Sequence, residues 1–289
     1  MGVNIQTIKD IRSYVAKELE VIYQEPEISA LANIIIKTVI GIKKLHQLIN
    51  MPEQPVTCGQ ARRIIDICKE LKTGKPIQYV LGETNFYDCI IRVNSATLIP
   101  RPETEELVDL IIRENRSYMG NIIDIGTGSG CIAIALAANL PGSVITGIDI
   151  SDEAIRIAQK NALLNNVAVS FVKGDIFTFD FEIVDKAGII VSNPPYVRNS
   201  EKQFISKNVL DFEPHIALFV TDSDPLVYYH AILKLADKIL VPGGRLYVEI
   251  NEAMGKSMVQ LLESFGYSVT EIVADINGKE RIIKGTKDV

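Results

Sequence analysis

Apolar residues recur along this chain with two different periods. From Ile5 to Leu48 the period is helical. Ile8, Ile11, Val15, Leu19 and Ile22 form one stripe, and Ile28, Leu31, Ile35, Val39, Ile42 and Leu45 form a second, each spaced to bury one face of an amphipathic helix. Pro26 separates the stripes and predicts a short helix–helix turn. A third helix is predicted from Thr57, with Gln60 three residues on, a capping-box pattern in which the two side chains satisfy free backbone donors. It runs to Lys72 and stops at Gly74.

Beyond Pro76 the pattern changes. β-branched Ile90, Ile91 and Val93, with aromatic Tyr79, Phe86 and Tyr87 and a break at Gly82, predict a β-hairpin within 76–102. From about Glu103 strands alternate with helices, the signature of a parallel sheet covered by helices. The predicted strands are 121–125, 144–149, 169–173, 188–192, 244–250, 268–274 and 280–284. The predicted helices are 105–115, 131–139, 152–165, 225–240 and 252–265. The expected architecture is a doubly wound α/β domain over 103–289, a helical domain over 1–75 and a linking hairpin over 76–102.

Composition narrows the classes. The 289 residues are 47% hydrophobic and 23% charged, a globular balance with room for two domains. Lys and Arg number 30 against 36 Asp and Glu, a net charge of −6, which weighs against binding nucleic acid by general electrostatics. Cys58, Cys68, Cys89 and Cys131 make no CxxC pair, and His46, His215 and His230 make no metal-ligand motif. The most apolar N-terminal stretch, 34–42, is interrupted by Lys37 and is too short to span a bilayer. The N-terminus lacks a basic region followed by an apolar core, and Gln6 stands where myristoylation after Gly2 wants Ser or Thr. A soluble cytoplasmic protein, monomeric and holding neither a metal nor a membrane, is expected. Lys43, Lys44, Arg62 and Arg63 offer charge to a partner, although a solvated helix face explains them as simply.

Two segments carry chemistry. Asp124-Ile125-Gly126-Thr127-Gly128-Ser129-Gly130 follows a predicted strand and opens a predicted helix. Glycines there let the backbone turn tightly and approach a ligand. Asp149 closes the next strand 19 residues after Gly130, where a carboxylate accepts hydrogen bonds from ribose hydroxyls. A dinucleotide wants G-x-G-x-x-G, and Cys131 occupies the place of its third glycine. Asp124 beside the loop repels phosphate and attracts ammonium, so the loop favours S-adenosylmethionine over NAD. A Gly-rich turn with no ligand is the plain alternative. In the next strand-end loop, Asp175 can accept from an adenine amino group and the Ile176 amide can bond a ring nitrogen; an ordinary turn Asp is the alternative.

Ser192-Asn193-Pro194-Pro195-Tyr196 ends the fourth predicted strand. Two prolines stop a strand and fix the backbone. The Asn193 side-chain oxygen and the Pro194 carbonyl can accept the two hydrogens of a planar –NH2 group, and Tyr196 can pack on its plane. Such positioning supplies as much as about 7–11 kcal/mol of a bimolecular barrier. A plain strand-ending turn is the alternative.

Together, the Asp124–Gly130 loop and Asn193-Pro194-Pro195-Tyr196 resemble the amino-methyltransferases dependent on S-adenosylmethionine. Pro76-Ile77-Gln78-Tyr79-Val80-Leu81-Gly82, Leu98-Ile99-Pro100-Arg101-Pro102-Glu103-Thr104-Glu105, Phe212-Glu213-Pro214 with Ala217-Leu218, and Lys279-Glu280-Arg281 are similar to the peptide chain release factor glutamine methyltransferases. The resemblance implies a Rossmann-like methyltransferase that methylates the side-chain amide nitrogen, N5, of the glutamine in the Gly-Gly-Gln motif of class 1 release factors. It implies S-adenosyl-L-methionine at Gly126, Thr127, Gly128, Ser129, Gly130, Asp149, Asp175, Ile176 and Asn193, with Ile176 where the family often carries a larger residue such as Trp. It implies catalysis and glutamine binding by Asn193, Pro194, Pro195 and Tyr196, and a release-factor contact for the N-terminal helical domain. No general base emerges, and 251–255 receive no role.

Three other readings compete. A DNA adenine-N6 methyltransferase uses the same motif on a flipped base, but neither a basic run nor a recognition insertion is present. A dinucleotide oxidoreductase explains the loop and leaves Asn193–Tyr196 unexplained. A non-catalytic binding module leaves the whole set unexplained.

Overall fold

The computed structural model describes residues 5–42, 52–178 and 184–289. Leu45, His46, Leu48, Lys43 and Lys44 lie outside the described residues, as do 1–4. The chain divides into two compact units, 1–81 with 207–212, and 82–206 with 213–289.

In the helical unit, α1 (Ile8–Leu19), α2 (Glu25–Ile40) and α3 (Cys58–Leu71) pack their stripes into one core of Ile8, Ile11, Val15, Leu19, Leu31, Ile35, Ile36, Ile64 and Leu71. The Thr57–Gln60 capping box forms as expected. A second box closes α1, where Thr7 Oγ1 accepts from the Asp10 amide and Asp10 accepts from the Thr7 amide at 2.9 Å. Three readings need correction. Pro26 sits in the first turn of α2, where a residue without an N–H loses nothing, because that donor has no partner inside the helix. Ile22 falls beyond the end of α1 and is 47% exposed. The second helix also stops early: Gly41 takes a left-handed conformation, φ 81°, and ends α2 before Ile42, which still joins the core. Two short helices complete the unit: α4 (Ile77–Leu81), which replaces the first part of the expected hairpin, and α8 (Lys207–Phe212) from far downstream.

The second unit opens with the hairpin β1 (Glu83–Phe86) and β2 (Cys89–Arg92), joined at Tyr87 and Asp88, both with positive φ. Next comes α5 (Pro102–Glu114). A seven-stranded sheet follows, built from β3 (Asn121–Ile125), β4 (Val144–Asp149), β5 (Ser170–Lys173), β6 (Ala187–Ser192), β9 (Leu240–Glu249), β10 (Tyr267–Ala274) and β11 (Glu280–Lys287) in the order β10-β11-β9-β6-β3-β4-β5. Crossover helices α6 (Cys131–Asn139), α7 (Asp152–Leu164), α9 (Val227–Ile239) and α10 (Gly255–Ser264) connect its strands.

The pairs from β5 to β9 are parallel, as the alternation predicts, but β11 runs antiparallel to both β9 and β10. The sheet is therefore mixed. The link from β10 to β11 is a tight turn, with the Asp275 amide bonded to the Lys279 carbonyl, and only antiparallel strands can be joined so briefly. The stretch between β6 and α9 carries a two-stranded pair, β7 (Val197–Arg198) with β8 (Phe219–Val220), too short for periodicity to reveal.

The fully buried Asn161 of α7 ties the hairpin to the loop after β3. Its amide donates to the carbonyls of Arg92 and Ser129 at 3.0 and 2.9 Å, and its oxygen accepts from the Arg92 amide at 2.9 Å. Truncation strands the buried Ser129 carbonyl and both backbone groups of Arg92. We expect Asn161→Ala to lower unfolding free energy by about 3 kcal/mol in urea titrations, whereas Thr57→Ala, at an exposed cap, costs about 1 kcal/mol.

Candidate active site

The sheet brings the singled-out segments to one edge. Register sets Ile125 of β3 beside Ser192 of β6 and Ile148 of β4, and Asp149 beside Lys173 of β5. The order changes direction at β3, the switch point where open α/β sheets bind ligands beyond their strand ends. Ser192 Oγ donates to the Ile125 carbonyl at 2.7 Å, pinning the start of Asn193–Tyr196 to the start of the glycine loop.

A cavity of about 320 Å³ opens at this edge, within the size range of small-molecule sites. Gly126, Thr127, Gly128, Ser129, Asp149, Asp175, Ile176, Asn193, Pro194 and Pro195 line it. Gly130 and Tyr196 do not. Gly130 is the N-cap of α6 at φ 81°, and a Cβ there would stand 3.0 Å from Ala158 Cβ, so it acts in the turn behind the cavity. Tyr196 turns its ring into the sheet's hydrophobic core. Its hydroxyl donates to Glu249 at 2.8 Å.

Asp149 shapes the loop before any ligand arrives. One oxygen accepts from the Gly128 amide at 2.8 Å and the other from the Ser151 amide at 2.9 Å. Each carboxylate oxygen keeps a second lone pair for a ligand hydroxyl. Burial raises the Asp149 carboxyl above its ordinary value, against the lowering effect of the two amides. Asp124 departs from its expected role. It is fully enclosed behind the loop and is absent from the lining. Its Oδ2 accepts from Thr127 Oγ1 at 2.6 Å, and burial pushes its carboxyl up to about 7, against that hydroxyl and the Ala133 amide.

Asp175 lines the cavity and also makes a turn, its Oδ1 accepting from the Phe177 amide at 3.0 Å. Phe177 and Tyr228 line the same wall, with ring centroids 5.3 Å apart. Neither was foreseen, because no spacing in the sequence links residue 177 to residue 228. The Pro100–Thr104 segment is a further unforeseen part of the wall. Arg101 and Thr104 both line it, and Arg101 pairs with buried Glu213 at 2.5 Å.

The donor set fits S-adenosylmethionine. Arg101 is the only cation among the described lining residues and is already paired, whereas a pyrophosphate wants uncommitted positive charge. Asp149 offers free lone pairs suited to ribose hydroxyls. Ser129 Oγ, buried in the lining, makes no hydrogen bond to an oxygen or nitrogen among the described residues, with only the weakly bonding Cys131 thiol beside it.

An open α/β sheet with a cavity at its switch point is a Rossmann-like arrangement, and the family matches make it a methyltransferase domain. Residues 104–212 match the methyltransferase small domain family, and residues 10–82 match the PrmC N-terminal domain family. In fold, the hMettl16 catalytic domain solved with the MAT2A 3′UTR hairpin 6 covers 82% of this chain and 84% of its own at a TM-score of 0.53 and 16% identity.

Sequence relatives are closer. The release factor glutamine methyltransferase of Flavobacterium psychrophilum is 46% identical over 281 residues, 96% of this chain and 98% of the relative. That of Bacteroides thetaiotaomicron is 42% identical over 277 residues, 96% and 99% of the two chains. The chain belongs to the release factor glutamine methyltransferase family.

Two outcomes follow. Asp149→Ala should weaken S-adenosylmethionine binding by about 10–100-fold, the loss of one or two charge-assisted hydrogen bonds; an unchanged Kd by calorimetry overturns that assignment. Asp124 titrates near 7 when folded against 3.8 ordinarily. Between those values the folded chain keeps a proton that the unfolded chain has lost, so stability falls as pH rises from about 4 to about 7. Asp149 and Glu249 are also raised by burial and act with the same sign. Asp124→Asn should therefore flatten the slope of Tm against pH without abolishing it.

Proposed function

We propose that this chain transfers a methyl group from S-adenosyl-L-methionine to the side-chain amide nitrogen, N5, of the glutamine in the Gly-Gly-Gln motif of class 1 peptide chain release factors. The observation that carries this reading is the state of Asn193. Its Nδ2 donates to Thr104 Oγ1 at 3.0 Å, and its Oδ1 accepts no hydrogen bond from the described residues. A primary amide brings two N–H donors and a nitrogen lone pair delocalised into its carbonyl. Asn193 Oδ1 and the Pro194 carbonyl accept those two hydrogens, orient the nitrogen and draw electron density onto it.

Gly126–Ser129, Asp149, Asp175 and Ile176 would hold the cofactor, which supplies an electrophilic methyl group on a sulfonium. Ile176, Phe177 and Tyr228 would give its adenine an apolar wall. No nucleophilic side chain takes part, and Asn193 works by orientation and electrostatics.

On this reading the helical part, 1–75, contacts the release factor, 76–102 links, and 103–289 carries the chemistry. The protein works as a monomer in the cytoplasm, without stable nucleic acid or membrane contact. Family membership and the net charge of −6 favour a protein glutamine over a DNA adenine.

The test offers labelled cofactor with either release factor or duplex DNA. Release factor alone should become labelled. Asn193→Ala should lower kcat by about 10²–10³-fold, the scale seen when one positioned polar group is removed, with cofactor Kd nearly unchanged. Label on DNA, or wild-type turnover in the variant, overturns the proposal.

A further inference from the structure

The glutamine-binding asparagine is not held by its own loop. Asn193 Nδ2 donates to Thr104 Oγ1 at 3.0 Å, and Thr104 Oγ1 donates to Glu249 Oε2 at 2.7 Å. The second oxygen of Glu249 accepts the Tyr196 hydroxyl at 2.8 Å. Thr104 is 2% exposed and Glu249 1%. One buried carboxylate at the end of β9 therefore gathers the first turn of α5 and both ends of the Asn193–Tyr196 segment.

We infer that Thr104 and Glu249 are positioning residues that select which face of the Asn193 amide meets the substrate. A hydroxyl has one hydrogen. An ionised carboxylate can only accept, so Glu249 claims the Thr104 hydrogen and leaves Oγ1 able only to accept. Asn193 must then present Nδ2 to Thr104, which leaves Oδ1 as the free acceptor at the cavity. A flipped Asn193 would show a donor to an incoming –NH2 group, a repulsive pairing. The Thr104–Glu249 pair thus converts a charge in the core into an amide orientation at the surface of the site.

The same logic makes the orientation sensitive to pH. Glu249 faces Thr104, Tyr196 and Arg281, with Glu103 near it; its backbone carbonyl accepts the Tyr229 hydroxyl at 2.9 Å, and the buried Cys131 lies within its field. Arg281 is itself bound to Asp275 at 3.2 Å. Burial raises the Glu249 carboxyl above its ordinary value, against the two hydroxyls and Arg281. A protonated Glu249 can donate, which releases the Thr104 hydrogen toward Asn193 and removes the preference for the productive flip. The acid limb of kcat should therefore lie above the ordinary glutamate range.

This inference rests on glutamine methylation as the reaction, and the test separates the two. Wild type, Thr104→Val and Thr104→Ser are assayed with release factor and labelled cofactor. In parallel, the Asn193 side-chain NH2 resonance is followed by 15N NMR from pH 5 to 8 with no substrate present. Thr104→Val should lower kcat by about a hundredfold and lose the acid limb, with the KM for release factor and cofactor Kd little changed. Thr104→Ser should recover most of kcat. The Asn193 resonance should follow the Glu249 titration in wild type and cease to do so in Thr104→Val.

Wild-type kcat in Thr104→Val, or a Ser variant as slow as Val, overturns the inference. If Thr104→Val fails to fold, the wild-type titration decides alone: an Asn193 resonance indifferent to Glu249 overturns the inference. A wild-type protein that leaves release factor unlabelled, yet shows the coupled titration, overturns the proposed substrate and leaves the orientation mechanism standing.

Discussion

A carboxylate placed inside a protein must find partners, because leaving it unpaired costs several kcal/mol. Glu249 meets that demand with the hydroxyls of Thr104 and Tyr196 and the field of Arg281. These groups come from α5, from the loop after β6 and from β11, and only closure of the sheet brings them together. The demand for partners thus shapes the site. The strand-ending prolines set the backbone of Asn193–Tyr196, and the charge beneath them sets its side chains. Asn251 adds a bond from its amide to the Tyr196 carbonyl at 3.3 Å, so the segment is held from both faces.

The glycine loop is organised on the same economy of shared groups. Asp149 spends one lone pair on each side, on Gly128 and on Ser151, and keeps the others for a ligand. Behind the loop, Asp124 anchors Thr127 and carries a raised carboxyl. Asn161 fastens the Ser129 carbonyl to the hairpin. Two acids and one amide, none of them on the loop's glycines, hold those glycines in conformations with positive φ.

The helical unit solves a simpler problem. Its stripes bury one another, its helices start at Thr7 and Thr57 with paired caps, and α2 stops at a left-handed glycine. Arg62 and Arg63 are exposed on α3. The two units share one chain but differ in what stabilises them: apolar burial in the first, apolar burial joined to buried polar networks in the second.

Local rules were enough for much of this. Periodicity placed β3, β4 and α6, and the capping box placed the start of α3, because those signals lie within a few neighbouring residues. The glycine loop, Asp149 and Asn193-Pro194-Pro195-Tyr196 were also legible, since backbone chemistry demands those residue types at strand ends. The sequence alone could mark Thr104, Glu213 and Arg281 only as members of similar segments, without a task. The partners of Thr104 and Glu213 lie more than 80 residues away, and no period or spacing encodes a hydrogen bond across a sheet. For the same reason Asp124 read as a cofactor contact, whereas burial encloses it behind the loop, and no spacing showed that the Tyr196 hydroxyl meets Glu249. The chain's residues determined which chemistry is available; packing decided which atoms face the cavity.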